Sequence, residues 1–203
     1  RALLRTTLSR YADVAPRDWR FELGPYGRPS LARGRHASVT LSFNVSHTTG
    51  LLAIAVSRTT IGVDIETVER PVEVNLASRF FAPAESAALD ALHPSSRPRR
   101  FLELWTLKES YAKARGLGLR LPFDGFAFDL DVANRIAFKP ERGADRHHAA
   151  WSFLLLEPGS RHLCALCCRS DGAPPALACR SMDGPSSEAA GFKLLRTSGT
   201  AAH

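Results

Sequence analysis

Residues 61–67, IGVDIET, set two carboxylates, Asp64 and Glu66, into an otherwise apolar, β-branched run. Such a run forms a strand. Strand side chains alternate faces, so Asp64 and Glu66 share one face while Val63 and Ile65 take the other. Like charges side by side repel unless something positive stands between them. Any fold of this chain therefore has to bring a cation to that face.

The chain has 203 residues and a net charge of +7, a balance that favours anionic partners such as nucleic acid, phosphorylated small molecules or an acidic protein. Two of its lysines, Lys108 and Lys113, fall in WTLKESYAK, residues 105–113. That stretch lies on the longest helical pattern, residues 98–115, which stops at Gly116 and Gly118. Glu109 and Lys113 stand four apart. Alone they read as a surface pair contributing about 0.3–0.5 kcal/mol.

With Asp64 and Glu66, Glu109 makes a third carboxylate. Hard oxygen donors without His or Cys beside them suit Mg²⁺, held by carboxylates together with substrate phosphate oxygens. Lys108, Lys113, His47 of NVSH and Arg28 of YGRP can hold phosphates, and Ser46 adds a hydroxyl. His47 taken alone reads as a structural histidine. A metal site ringed by phosphate-binding side chains suits phosphoryl transfer. The sequence contains no GxxxxGK[ST] loop, no GxGxxG after a strand, no kinase HRD or DFG set and no GxSxG elbow.

The rest of the chain reads as α+β. An amphipathic helix is expected over residues 1–12, and a short strand leads into a Gly/Pro turn at 24–29. VTLSFNVSH, LLAIAVS and TIGVDIE predict a three-stranded antiparallel meander. VEVNLASRFF and PAESAALDAL predict two short helices. FDGFAFDL, RIAFKP, AAWSFLLLEPG and HLCALCCRS predict four further strands, the last with its cysteines as small buried hydrophobes. RPRR, residues 97–100, reads as a solvated loop. Residues 181–203 read as a loose tail in which GFKLLRTSG is expected to dock as a short helix. No apolar stretch has membrane-span length and no signal peptide is visible, so no membrane partner and a reducing cytoplasm are expected. The only Met is Met182, so the natural start is expected upstream of Arg1.

In order along the chain, FNVSH, IGVDIE, RFFAPAE and LWTLKESYAKARGLGLRLPFDGF resemble the 4′-phosphopantetheinyl transferases, best the surfactin-synthetase-activating (Sfp-like) type. The resemblance runs over about residues 1–170, with YGRP where the family often carries YGKP. It implies two similar α+β lobes related by a pseudo-two-fold axis, with coenzyme A in the cleft between them. Residues 1–66 are then the N-terminal lobe, 67–180 the C-terminal lobe and 181–203 the tail. The implied reaction is Mg²⁺-dependent transfer of the 4′-phosphopantetheine arm of coenzyme A to a serine of an acidic apo acyl or peptidyl carrier, by a monomer. Asp64, Glu66 and Glu109 match the metal ligands; Arg28, Ser46, His47, Lys108 and Lys113 match coenzyme A contacts. Glu109 is also the implied base, Lys113 assists the leaving phosphate, and Glu85 matches an acid implicated in activity. A binding module on the same fold is the first alternative. A nucleic-acid-binding domain is suggested by charge alone, and the aromatics fall at core-like positions, so no nucleic-acid partner is expected.

Overall fold

The computed structural model describes residues 1–140, 151–170, 175–182, 188–189 and 191–198. Helix α1 (Ala2–Leu8) buries Leu8 beside Trp19, Leu31 and Phe43, which form a first small core. Strands β1 (Phe21–Leu23) and β2 (Pro29–Leu31) pair as a hairpin whose turn places Gly27 at φ 79°, a left-handed conformation suited to glycine. Strands β3 (Ser42–Thr48) and β4 (Leu51–Ser57) form a second antiparallel pair. β5 (Ile61–Thr67) follows, then α2 (Ala77–Phe80), α3 (Pro83–Ala91) and α4 (Arg97–Arg115). The remaining strands are β6 (Ala127–Asp129), β7 (Ala137–Lys139), β8 (Trp151–Glu157), β9 (His162–Arg169), β10 (Arg180–Ser181), β11 (Glu188–Ala189) and β12 (Lys193–Thr197).

The architecture is α+β, with antiparallel sheets packed against helices, as the sequence predicts. The largest sheet has the order β12-β8-β9-β5. Both of its faces are covered. Phe153, Leu155, Ala165 and Cys167 pack under α4 with Tyr111, Phe126 and Phe128, whereas Leu154, Leu156, Cys164, Leu166, Val63 and Ile65 pack towards Ala55 of β4. The cysteines of β9 are therefore core residues. Burial pushes the thiols of Cys164 and Cys168 up to about 12 and about 11, which keeps them protonated.

Three expectations are corrected. The predicted meander does not close, because β5 takes its ladder partner from β9, Asp64 standing opposite Ala165, rather than from β3 or β4. Residues 61–66, expected to end the first lobe, thus belong by hydrogen bonding to the larger sheet. GFKLLRTSG is not a helix in a loose tail: Lys193–Thr197 forms β12 on the edge of β8, with Leu194 outward and Leu195 against the core. Its period-two pattern suits a strand, and β8 satisfies its backbone groups. RPRR is not a solvated loop but the first turn of α4, where Arg99 and Arg100 hold Glu103 at 3.3 and 3.1 Å.

Candidate active site

The junction of β3, β5 and α4 carries the charged residues. The edge of β5 turned away from β9 lies beside β3, yet the two strands share no backbone ladder. Two side chains of β3 replace it: Asn44 Oδ1 accepts from the Val63 N–H at 2.9 Å, and Ser46 Oγ accepts from the Ile65 N–H at 3.3 Å. On the adjoining face α4 sits directly on β5. A Cβ at Gly62 would stand 2.1 Å from the Ser110 carbonyl oxygen and 2.4 Å from the Ala114 nitrogen. Only glycine permits that approach, and it puts Asp64, two residues on, beneath the last turns of the helix.

Asp64 is 4% exposed. Its Oδ1 accepts from Lys113 Nζ at 2.6 Å and from Ser46 Oγ at 2.9 Å, and Lys113 also donates to Ser46 at 2.9 Å. Asp64 Oδ2 is buried without a hydrogen-bond partner. Glu66 turns to Arg70, 3.4 Å away. Burial, then the Asp64 charge, raise the Glu66 pKa against the pull of Arg70 and Lys113. Burial and Asp64 likewise lift Glu109 to about 7, with Lys113 opposing and Glu66 adding to the rise. The three carboxylates are thus electrostatic neighbours. The positive group that reaches Asp64 is Lys113, and the i,i+4 surface pair with Glu109 is replaced by this cross-element contact.

Among the described residues no three His, Cys, Asp or Glu side chains converge as a ready metal cage. The donor set nevertheless fits a hard divalent cation. All its atoms are carboxylate oxygens, one of them is buried with no partner, and two of the acids are held protonation-prone by burial and then by like charge. Glu66 would have to release Arg70 to join it.

The other predicted residues divide. Ser46 is buried and positions Asp64 and Lys113, whereas His47, next along β3, is exposed and has no hydrogen bond among the described residues. Arg28 donates to the Ala114 and Ile61 carbonyls, the latter at 2.9 Å, so it clamps the YGRP turn to the end of α4 and the start of β5. Burial lowers its pKa. Lys108 and Glu85 are not brought to the carboxylates. Lys108 is fully buried, and its Nζ meets Glu85 Oε2 at 2.7 Å and the Phe123 and Phe126 carbonyls at 2.6 and 2.7 Å. These contacts use all three ammonium donors, and the Phe126 ring adds a face 4.3 Å away. Glu85 accepts from the Ala82 and Phe128 N–H groups. Burial raises Glu85 and lowers Lys108 while their attraction pulls each back. Lys108, expected to hold a phosphate, has its ammonium in the core.

Sequence reasoning missed Asn44, Arg70 and Arg115. Asn44 was legible as the same-face neighbour of Ser46, and Arg70 as the i+4 partner of Glu66. Arg115 donates to the Tyr111 hydroxyl at 2.7 Å and lines a cleft of about 920 Å³. The cleft opens past the end of α4, between Gly116 and the hairpin and loop of residues 22–43.

A family model described as the 4′-phosphopantetheinyl transferase superfamily matches residues 60–167. The chain belongs to that superfamily. The matched segment takes in Asp64, Glu66, Glu85, Lys108, Glu109 and Lys113 and leaves out Arg28, Ser46 and His47. The chain is 36% identical over 128 residues to a 4′-phosphopantetheinyl transferase of Bacillus subtilis, covering 63% of this chain and 55% of that protein. It is 34% identical over 178 residues to the 4′-phosphopantetheinyl transferase HetI of Nostoc, covering 86% of this chain and 71% of HetI. It thus spans little more than half the length of the Bacillus relative. A solved holo-acyl-carrier-protein synthase of Thermotoga maritima aligns with a TM-score of 0.45 at 20% identity, covering 60% of this chain and 67% of that one. Within the superfamily match, α4 and β5 carry both the three acids and Lys113.

Proposed function

We propose that this phosphopantetheinyl transferase moves the 4′-phosphopantetheine arm of coenzyme A to a serine hydroxyl of an apo carrier protein. The products are the holo carrier and adenosine 3′,5′-bisphosphate. One observation carries the reading: Asp64, bound by Lys113 and Ser46 through Oδ1, keeps Oδ2 buried and without a partner, and its charge helps raise the pKa of Glu66 and Glu109. Asp64, Glu66 and Glu109 are the residues that would hold Mg²⁺. When bound, the cation neutralises these carboxylates and draws charge from the coenzyme A pyrophosphate.

The chain's own groups do the rest. The carrier serine Oγ attacks the phosphorus that bears the pantetheine. The bond from that phosphorus to the bridging pyrophosphate oxygen breaks, and the electron pair leaves on adenosine 3′,5′-bisphosphate. Glu109, beside Asp64 and Glu66, accepts the serine proton directly or through water. Lys113 bonds Asp64 and Ser46 and has a third ammonium donor for the phosphate on which charge builds. The cleft beyond α4 takes the nucleotide end, and the +7 chain suits an acidic carrier.

The test is intact-mass spectrometry of apo acyl and apo peptidyl carriers incubated with this chain, coenzyme A and Mg²⁺, with and without chelator. A chelator-sensitive gain of one phosphopantetheine mass is expected. No gain on either carrier, with coenzyme A binding retained, favours the binding-module alternative.

A further inference from the structure

Three successive outward groups of β5, at residues 61, 63 and 65, are met by side chains and not by a neighbouring strand's backbone. Arg28 donates to the Ile61 carbonyl at 2.9 Å, Asn44 Oδ1 accepts the Val63 N–H at 2.9 Å, and Ser46 Oγ accepts the Ile65 N–H at 3.3 Å. The last two come from one face of β3. Side chains on a strand face and N–H groups on a strand edge both recur every second residue, so the match stays in phase.

Ser46 is the member that touches the acids. Its single hydroxyl proton goes to Asp64 Oδ1, and its lone pairs take the Ile65 N–H and the Lys113 ammonium. Those bonds exist in one register of β3 on β5. The face that carries them reads Ser42, Asn44, Ser46, Thr48, with hydroxyls at every position but one. A slip of two residues would still set polar groups against the β5 edge, so alternation alone leaves the register weakly specified. Asn44 breaks the tie. It is the one amide in the row, it is 5% exposed, and its oxygen lies closer to the Val63 nitrogen than the Ser46 oxygen lies to that of Ile65.

Resting on the transferase reading above, we infer that Asn44 is a positioning residue for the acid cluster. It locks β3 to β5 in the register that holds Ser46 against Asp64 Oδ1, which leaves Oδ2 as the oxygen for the cation. Asn44 acts through Ser46 and the β5 backbone, as an outer partner orients a metal ligand without being one.

The experiment compares Asn44→Val with Asn44→Thr, two β-branched variants of equal shape that differ in a hydroxyl. Asn44→Ala and Asn44→Ser serve as the pair if Asn44→Val does not fold. Ser46 spans the same gap with a hydroxyl, so Asn44→Thr keeps an acceptor on this face. Amide hydrogen exchange of the metal-free full chain, read by NMR, is the first measure. The Val63 and Ile65 amides should both exchange about tenfold faster in Asn44→Val, although Ser46 is intact. The Asp64 N–H, directed to Ala165 of β9, should keep its wild-type rate. The second measure is the Mg²⁺ concentration for half-maximal transfer, which should rise about tenfold in Asn44→Val. Asn44→Thr should restore most of both. Faster exchange confined to Val63, equal acceleration at Asp64, an unchanged Mg²⁺ requirement, or Asn44→Thr no better than Asn44→Val overturns the inference while leaving the transferase reading intact. A wild-type chain that transfers nothing to either carrier removes the transferase reading, and the exchange pattern then decides by itself whether Asn44 sets the register.

Discussion

Lys113 of α4 and Asp64 of β5 meet at 2.6 Å, and Ser46 of β3 hydrogen-bonds both of them. One helix and two strands that share no ladder with each other are thereby tied at one buried carboxylate oxygen. The other oxygen of that carboxylate is left without a partner. The joint that packs these elements is also the place where a cation and a phosphate have most to gain.

Asp64→Ala should lower transfer at least about 100-fold, because it removes the central acid of the set. The fold should survive, since Lys113 keeps partial exposure and its bond to Ser46. Carrier mass gain against time, beside a thermal melt, checks both parts. Unchanged turnover at saturating Mg²⁺ would sink the metal assignment.

The acids also predict a pH dependence. Glu109 is raised to about 7 and Glu66 is raised in the same direction, so the folded chain holds protons that the unfolded chain has already released. Without metal, stability should therefore fall as pH climbs from the ordinary carboxylate range to about 7, and level off above it. Mg²⁺ favours the ionised acids, so its addition should raise the melting temperature more at alkaline than at acidic pH. Melts across pH with and without Mg²⁺ measure this; a shift equal at every pH is the contrary result.

Lys108→Met should destabilise the chain by about 3–5 kcal/mol, because Glu85 would be left buried without its cation. The double variant Lys108→Met, Glu85→Leu should recover much of that loss. Denaturant unfolding of the wild type, Lys108→Met, Glu85→Leu and the double variant forms the cycle. A folded Lys108→Met chain of normal stability with a raised KM for coenzyme A would restore Lys108 to the phosphate site.

Gly62→Ala should cost about 3 kcal/mol or more, since the added methyl meets backbone of Ser110 and Ala114 rather than a movable side chain. It should also reduce transfer in whatever folded protein remains, because α4 must lift from β5 and carry Lys113 away from Asp64. Urea midpoints and residual activity test the two parts separately.

Much of the site was legible before any fold was known. Period two put Asp64 and Glu66 on one face, and α4 was legible because its apolar positions recur at helical spacing and end in glycine, with Gly116 at φ 70°. The cysteine run was legible as strand for a similar reason, being apolar on both faces. The pairing of β5 with β9 was not. Those strands lie about a hundred residues apart, and nothing local distinguishes β9 from β4 as a ladder partner. The strand at 193–197 was missed because a short exposed edge strand draws its stability from its neighbour, not from its own sequence.

By itself, then, the sequence determined the chemistry of the donors, the shared face of two carboxylates and the helix that carries the third. Tertiary structure decided which cations serve them. Lys108 and Lys113 are equally plausible on paper, but five residues place them about 140° apart around a helix. Only one of them can face β5. Gly62 lets that helix settle with Ser110 and Ala114 against the strand, which turns Lys113 to Asp64 and sends Lys108 into the core with Glu85. Arg28 follows the same rule. Its charge was evident in the sequence, and the carbonyls of Ala114 at the end of α4 and Ile61 at the start of β5 claimed it.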